Sequence, residues 1–190
     1  MDEEKREVKI LGMAGSLRRG SFNKAALRAA GELLPPDAHL EIIDLAEIPF
    51  FNEDLEGEPL PEAVLNLAKA VQEADALLLS TPEYNYSVPP VLKNAIDWVS
   101  RPSTGAPANG KPVAIISASP GMFGGARAQY HLRQVCVVVN MLPLNKPEVF
   151  IMQAHTKFDQ DLKLIDAYTR NAISGLLQAL VAWTRLLKGI

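Results

Sequence analysis

Three short runs of this chain are apolar with almost no polar alternation: 7–13, 76–80 and 113–117. A strand with one wet face alternates, whereas a strand covered on both faces does not need to. Each run leads through a loop into a segment of helical spacing, at 22–34, at 90–99 and at 124–140. Two weaker runs, 40–43 and 147–150, and two further helical segments, 61–73 and 159–188, extend the same alternation. Pro35-Pro36 stops the first helix, and Pro61 and Pro89-Pro90 suit the opening of later ones. The stretch 124–140 contains a β-type run, Val135-Cys136-Val137-Val138-Val139, but no Gly or Pro divides it. It is therefore read as one continuous buried helix. In 159–188, Leu162, Ile165, Ala172, Ile173, Leu176 and Leu180 share one face, which predicts a long amphipathic helix.

Five β–α units without internal repeat or linker imply a parallel sheet with helices on both faces. The expected architecture is a single α/β domain over 1–190, with 1–6 flexible. It is a doubly wound, three-layer sandwich of five parallel strands in the flavodoxin-like order 2-1-3-4-5. With 190 residues, 48% of them apolar, the chain can bury a core without disulfides. The one cysteine, Cys136, lies in an apolar run and is expected to be an inert buried thiol. A net charge of −3, from 19 basic and 22 acidic residues, leaves no footprint for nucleic acid or an anionic membrane. The charged N-terminus lacks the apolar centre of a signal peptide, and no run approaches the ~18 apolar residues of a membrane span. The expectation is a cytoplasmic protein.

In a sheet of this order, ligands sit beyond the carboxyl ends of the strands, beside the first strand, where the winding reverses. Three loops meet there: 14–23, 81–87 and 117–125. The first carries Gly15, Ser16, Leu17, Arg18, Gly20, Ser21, Phe22 and Asn23 between a strand and a helix start. Unpaired N–H groups and the helix dipole favour an anion at such a junction. Ser16, Ser21 and Asn23 add side-chain donors, and Arg18 or Arg19 adds charge. A plain helix cap by Ser21 or Asn23 is the local alternative. The frame Gly15-x-x-x-x-Gly20 is followed by Ser21-Phe22 and lacks the lysine of a nucleotide-binding P-loop. Gly12-x-x-Gly15 is not the dinucleotide fingerprint.

The second loop, Pro82-Glu83-Tyr84-Asn85-Tyr86-Ser87-Val88-Pro89, offers two aromatics, an amide and exposed backbone. It suits a flat heteroaromatic ligand. Glu83 has no paired carboxylate or base nearby in sequence, which favours a loop-shaping role over acid catalysis. His39, His131 and His155 are scattered and form no ligand pair, and no metal site is expected.

Together these stretches resemble the NAD(P)H-dependent FMN reductase family, which includes quinone, chromate and azo-dye reductases of flavodoxin-like fold. The matching segments are Gly15-Ser-Leu-Arg-Arg-Gly-Ser-Phe-Asn23, Pro82-Glu-Tyr-Asn-Tyr-Ser-Val-Pro89 with Leu92-Lys-Asn-Ala-Ile-Asp-Trp98, and Ser119-Pro-Gly-Met-Phe-Gly-Gly-Ala-Arg127. The resemblance spans about 8–185. Pro90 and Val91 depart from it, standing where a Gly or small residue is common. It implies that Ser16, Leu17, Arg18, Ser21, Phe22 and Asn23 form the FMN phosphate loop. It further implies that Pro82, Glu83, Tyr84 and Asn85 line the isoalloxazine edge, and that Ser119 and Gly121 close the far side. NAD(P)H would be a substrate, and an electron acceptor would follow it by ping-pong exchange. No side chain is expected to be catalytic, because flavin N5 carries the chemistry. A homodimer or homotetramer is implied as well, with 89–98 at the interface and polar contacts from Arg127, Tyr130 and Glu148. Trp98 reads equally as core. The rival classes are a flavodoxin-type electron carrier and a non-catalytic module for another phosphorylated ligand.

Overall fold

The computed structural model describes residues 6–57 and 59–190. The flexibility expected of 1–6 falls, Arg6 apart, outside the described residues. Arg6 donates to both carboxylate oxygens of Asp75 at 2.8 Å. That carboxylate also accepts from the Lys9 N–H and from Lys188, tying both ends of the fold to one buried acid.

Six strands form one parallel sheet: β1 (Val8–Ala14), β2 (Ala38–Ile43), β3 (Ala76–Thr81), β4 (Pro112–Ala118), β5 (Leu142–Pro143) and β6 (Val149–Ile151). Their order is β2-β1-β3-β4-β5, with β6 also paired to β4. The expected order 2-1-3-4-5 therefore holds, but its fifth position is shared. β5 pairs with Pro112 and Val113, and β6 with Ile116 to Ala118. The sequence reading found only the second piece. Pro143 supplies no N–H to extend the first.

Five helices cover the sheet: α1 (Phe22–Glu32), α2 (Glu62–Glu73), α3 (Pro90–Val99), α4 (Ala126–Val139) and α5 (Ala167–Lys188). α1 and α5 pack on one face with Ile10, Leu78 and Ile116. α2, α3 and α4 pack on the other with Leu11, Leu77, Leu79 and Ile115. Successive residues of β1 and β3 thus enter opposite cores, which is why those strands need no polar alternation. Each fully buried Leu or Ile contributes roughly 1.5–3 kcal/mol relative to exposure.

Two helical expectations need correction. α4 is continuous through the β-type run, ending where Asn140 turns left-handed at φ 56°. It is not buried all round, because Val137 and Val138 are 77% and 83% exposed while Cys136 is fully buried. At 100° per residue, consecutive valines cannot all face the sheet. α5 begins at Ala167 rather than 159, so Leu162 and Ile165 precede it. Asp159 Oδ1 accepts from the N–H groups of Asp161 and Lys163, which holds that segment in a turn. Asp166 then caps the helix through Thr169 N–H.

Candidate functional site

The loops 14–23, 81–87 and 117–125 follow β1, β3 and β4, the three adjacent strands at the point where winding reverses. Gly15 N–H donates to Ser80 O at 2.9 Å, so β1 and β3 stay paired into the first loop. Ser21 N–H donates to Arg18 O and closes the turn, and Ser21 Oγ accepts from Lys24 N–H, capping α1. Ser21 is thus a helix cap by geometry, in the loop that follows β1.

Among the described residues, the main-chain N–H groups of 16–20, Phe22 and Asn23 have no partner. The hydroxyl of Ser16 has none either, although the residue is only 4% exposed. A row of free amides and an unpartnered serine hydroxyl at the N-terminus of an 11-residue helix fits a phosphate group. Arg18 is exposed beside it, its guanidinium carbon 5.8 Å from the Phe22 ring. Phe22 itself packs on Phe158, with ring centroids 5.4 Å apart.

Asn23 is used differently from what the sequence suggested. Its Oδ1 accepts from Ser80 Oγ at 3.1 Å and from Ala118 N–H at 3.0 Å, and its Nδ2 donates to Ala118 O at 3.0 Å. The carboxamide pins α1 to β3 and β4. What Asn23 offers a ligand is its main-chain N–H.

In the second loop, Tyr84 and Ser87 exchange both main-chain hydrogen bonds around Asn85 and Tyr86, at φ 48° and 69°. Positive φ at both central residues is the type I′ arrangement. Asn tolerates it, whereas Tyr in this region costs on the order of 1–3 kcal/mol and persists only where neighbours enforce it. The Tyr84–Ser87 pair closes the turn, and Arg127 of α4 packs on the tyrosine, its guanidinium carbon 3.8 Å from the Tyr86 ring centroid. Glu83 accepts from Arg127 N–H at 3.1 Å and meets Arg127 Nε at 2.6 Å. Its role is to join the second loop to α4. Pro82 is buried, while Tyr84 and Asn85 are exposed toward solvent. On α4, one turn beyond Arg127, His131 Nδ1 lies 3.0 Å from Ser87 Oγ.

In the third loop, Ser119 N–H donates to Ile151 O, and Gly121 O accepts from Gln153 N–H. Gly121 N–H donates to Ser119 Oγ. Gly124 and Gly125 have φ 57° and 84°, and a Cβ on Gly125 would lie 2.8 Å from Ser117 Cβ. Ser117 Oγ fixes Gly124 O at 2.6 Å. Met122 and Phe123 stand out 66% and 62% exposed.

The structure thus gathers the predicted residues at the carboxyl end of the sheet, and the site has a phosphate-fitting cradle next to an aromatic-edged opening. Arg127 and Phe123 were missed as parts of it. The expectation for Arg127 was a contact between subunits, whereas here its side chain meets Glu83, Tyr86 and Phe123 of its own chain. Tyr130 lies near Phe150, and Glu148 pairs with Lys146. Trp98 is fully buried, with Nε1 donating to Pro49 O, so it is core. Cys136 is buried too, and burial pushes its thiol up to about 11. Among the described residues, no group of three or more His, Cys, Asp or Glu could hold a metal ion.

Fold and site define a flavodoxin-like α/β protein with a row of unpartnered main-chain N–H groups after its first strand. Residues 8–156 match the family described as NADPH-dependent FMN reductase, and the chain belongs to that family of enzymes. It is 51% identical over 183 residues to an NAD(P)H-dependent FMN reductase of Pseudomonas aeruginosa, covering 96% of this chain and 98% of the relative. It is 38% identical to a 2-hydroxy-1,4-benzoquinone reductase of Burkholderia sp, covering 94% and 97%. The structure of the flavoenzyme NAD(P)H:(acceptor) oxidoreductase FerB from Paracoccus denitrificans superposes with a TM-score of 0.86 at 33% identity. That superposition covers 94% of this chain and 98% of the other.

Proposed function

We propose that this chain binds FMN and oxidises NAD(P)H, passing the electrons to a quinone-type acceptor. The observation that carries this reading is the cradle: free main-chain N–H groups and the Ser16 hydroxyl at the start of α1. Relatives whose names specify FMN reductase and quinone reductase support it. Ser16, Leu17, Arg18, Ser21, Phe22 and Asn23 supply the phosphate loop, mostly through main-chain N–H groups, and Arg18 adds the charge. Pro82, Glu83, Tyr84 and Asn85 border the ring edge, and Ser119 and Gly121 its far side.

The bound flavin supplies hydride acceptance and donation at N5. The protein's part is to hold the phosphate, to present main-chain donors to the ring edge and to leave one face open between the second and third loops. One open face used in turn by nicotinamide and acceptor predicts ping-pong kinetics. Chromate, azo compounds and free flavin are the other candidate acceptors at that face. In this reading the enzyme is cytoplasmic and assembles as a homodimer or homotetramer. The exposed Val137 and Val138, on α4 beside α3, support assembly. Among the described residues, no helix is long and apolar enough to cross a membrane.

The test is stopped-flow mixing of the FMN-loaded protein with NADPH and NADH. Rapid loss of the oxidised flavin spectrum, restored by added quinone, is expected. Persistence of that spectrum with both nicotinamides would identify an electron carrier instead. Failure to take up FMN would identify a module for another phosphorylated ligand.

A further inference from the structure

Arg127 ties together the two loops that flank the opening. Its guanidinium carbon is 3.8 Å from the Tyr86 ring centroid and 4.4 Å from that of Phe123. Its guanidinium thus lies between one ring from each loop, within cation–π distance of both. Glu83 holds it there, through Nε at 2.6 Å and the main-chain N–H at 3.1 Å. Both loops are anchored at their bases, the second by the Tyr84–Ser87 pair and the third by Ser117 Oγ on Gly124 O. Among the described residues, no hydrogen bond runs directly between 82–87 and 119–125. Neither the Tyr86 ring nor the Phe123 ring stacks on another aromatic ring there, and both are more than half exposed. The separation of the loop tips therefore depends on what lies between those rings.

We propose that Arg127 is a specificity-determining positioning residue. Its planar side chain fixes the gap between Tyr86 and Phe123, and so limits the size of the flat electron acceptor that enters the site. This rests on the functional reading above. A guanidinium presents two flat faces and stacks on both at once, whereas an ammonium on a flexible stem cannot. Removing the guanidinium frees Phe123, whose chain is bounded by glycines at 121, 124 and 125, to swing away and widen the opening.

The test compares kcat/KM for benzoquinone, with one ring, and phenanthrenequinone, with three, in FMN-loaded wild type, Arg127→Ala, Arg127→Lys and Phe123→Leu. Arg127→Ala is expected to raise the three-ring to one-ring ratio by about fivefold or more, mainly through KM for the larger quinone. Arg127→Lys keeps a cation opposite Glu83 but no plane, and is expected to behave like Arg127→Ala. Phe123→Leu is expected to raise the ratio and to add little in the Arg127→Ala background, because both remove the same barrier. Hydrogen exchange of 82–87 and 119–125 in Arg127→Ala, independent of turnover, is expected to quicken in both loops. An unchanged or lowered ratio in a variant that still binds FMN and oxidises NAD(P)H overturns the proposal. So does a wild-type ratio in Arg127→Lys, since the ion pair rather than the guanidinium plane would then set the gap. Unchanged exchange in both loops overturns it at the level of the latch. Wild type that takes up no FMN overturns the functional reading and the specificity claim together.

Discussion

Gly15 lies so close to Pro89 that a Cβ on it would stand 2.6 Å from Pro89 Cγ. Pro82 Cδ and Leu92 Cβ would both be 3.2 Å away. The first and second loops therefore touch at a point where only a hydrogen atom fits, and the cradle sits against the start of α3.

Gly15→Ala should push these loops apart, because Pro89 is a rigid ring that cannot rotate out of the way. Overpacking of this kind costs about 1–3 kcal/mol. Weaker FMN binding together with a lower unfolding midpoint is expected. Titration of flavin fluorescence and a thermal melt would check it, and wild-type values in both would mean that the contact gives way without consequence.

Arg18→Ala should weaken FMN binding by about 1.5–3 kcal/mol, the scale of a hydrogen bond to a charged group, with little effect on stability. The loss should shrink as salt is raised, since Arg18 is exposed. Unchanged affinity at both low and high salt would remove Arg18 from the anchor.

For Asn23→Ala the expected pattern is the reverse. The substitution orphans Ser80 Oγ and both main-chain groups of Ala118. Each unpaired buried group costs on the order of 1–3 kcal/mol. Urea unfolding should show the loss with or without FMN present. A loss confined to the FMN-loaded protein would instead make the carboxamide a direct ligand of the phosphate.

Asp166 gives a pH signature. Its carboxylate accepts from the Thr169 hydroxyl, from Lys157 and from the Thr169 N–H, which lowers it to about 2. A pKa depressed by folding stabilises the native state above the unfolded value and loses that contribution as pH falls. The stability gap between wild type and Asp166→Ala should be full above about pH 5 and shrink progressively as pH falls through about 2, starting from the ~0.5–2 kcal/mol of a helix cap. A gap that does not change across this range would show that the charged cap contributes nothing.

The amino-acid sequence by itself determined the alternation of apolar strands and helices, the strand order and the three loops of the site. Those features follow from local chemistry: unalternating apolar runs, prolines at helix starts, and a Gly/Ser turn between strand and helix. Even the start of α5 was there to be read, since Asp166 before Ala167 is a helix cap by residue type. The tertiary structure alone decided how the polar side chains were spent. Asn23 finds its partners 57 and 95 positions away, and Glu83 finds Arg127 44 positions away. It also decided that Val137 and Val138 face out and that two short strands share the sheet edge. Spacing along a chain shows which residues can lie on one face, but a side chain's partner is set by which strands lie side by side. In this fold neighbouring strands are joined through intervening helices, so the pairs that shape the site are formed only when the sheet closes.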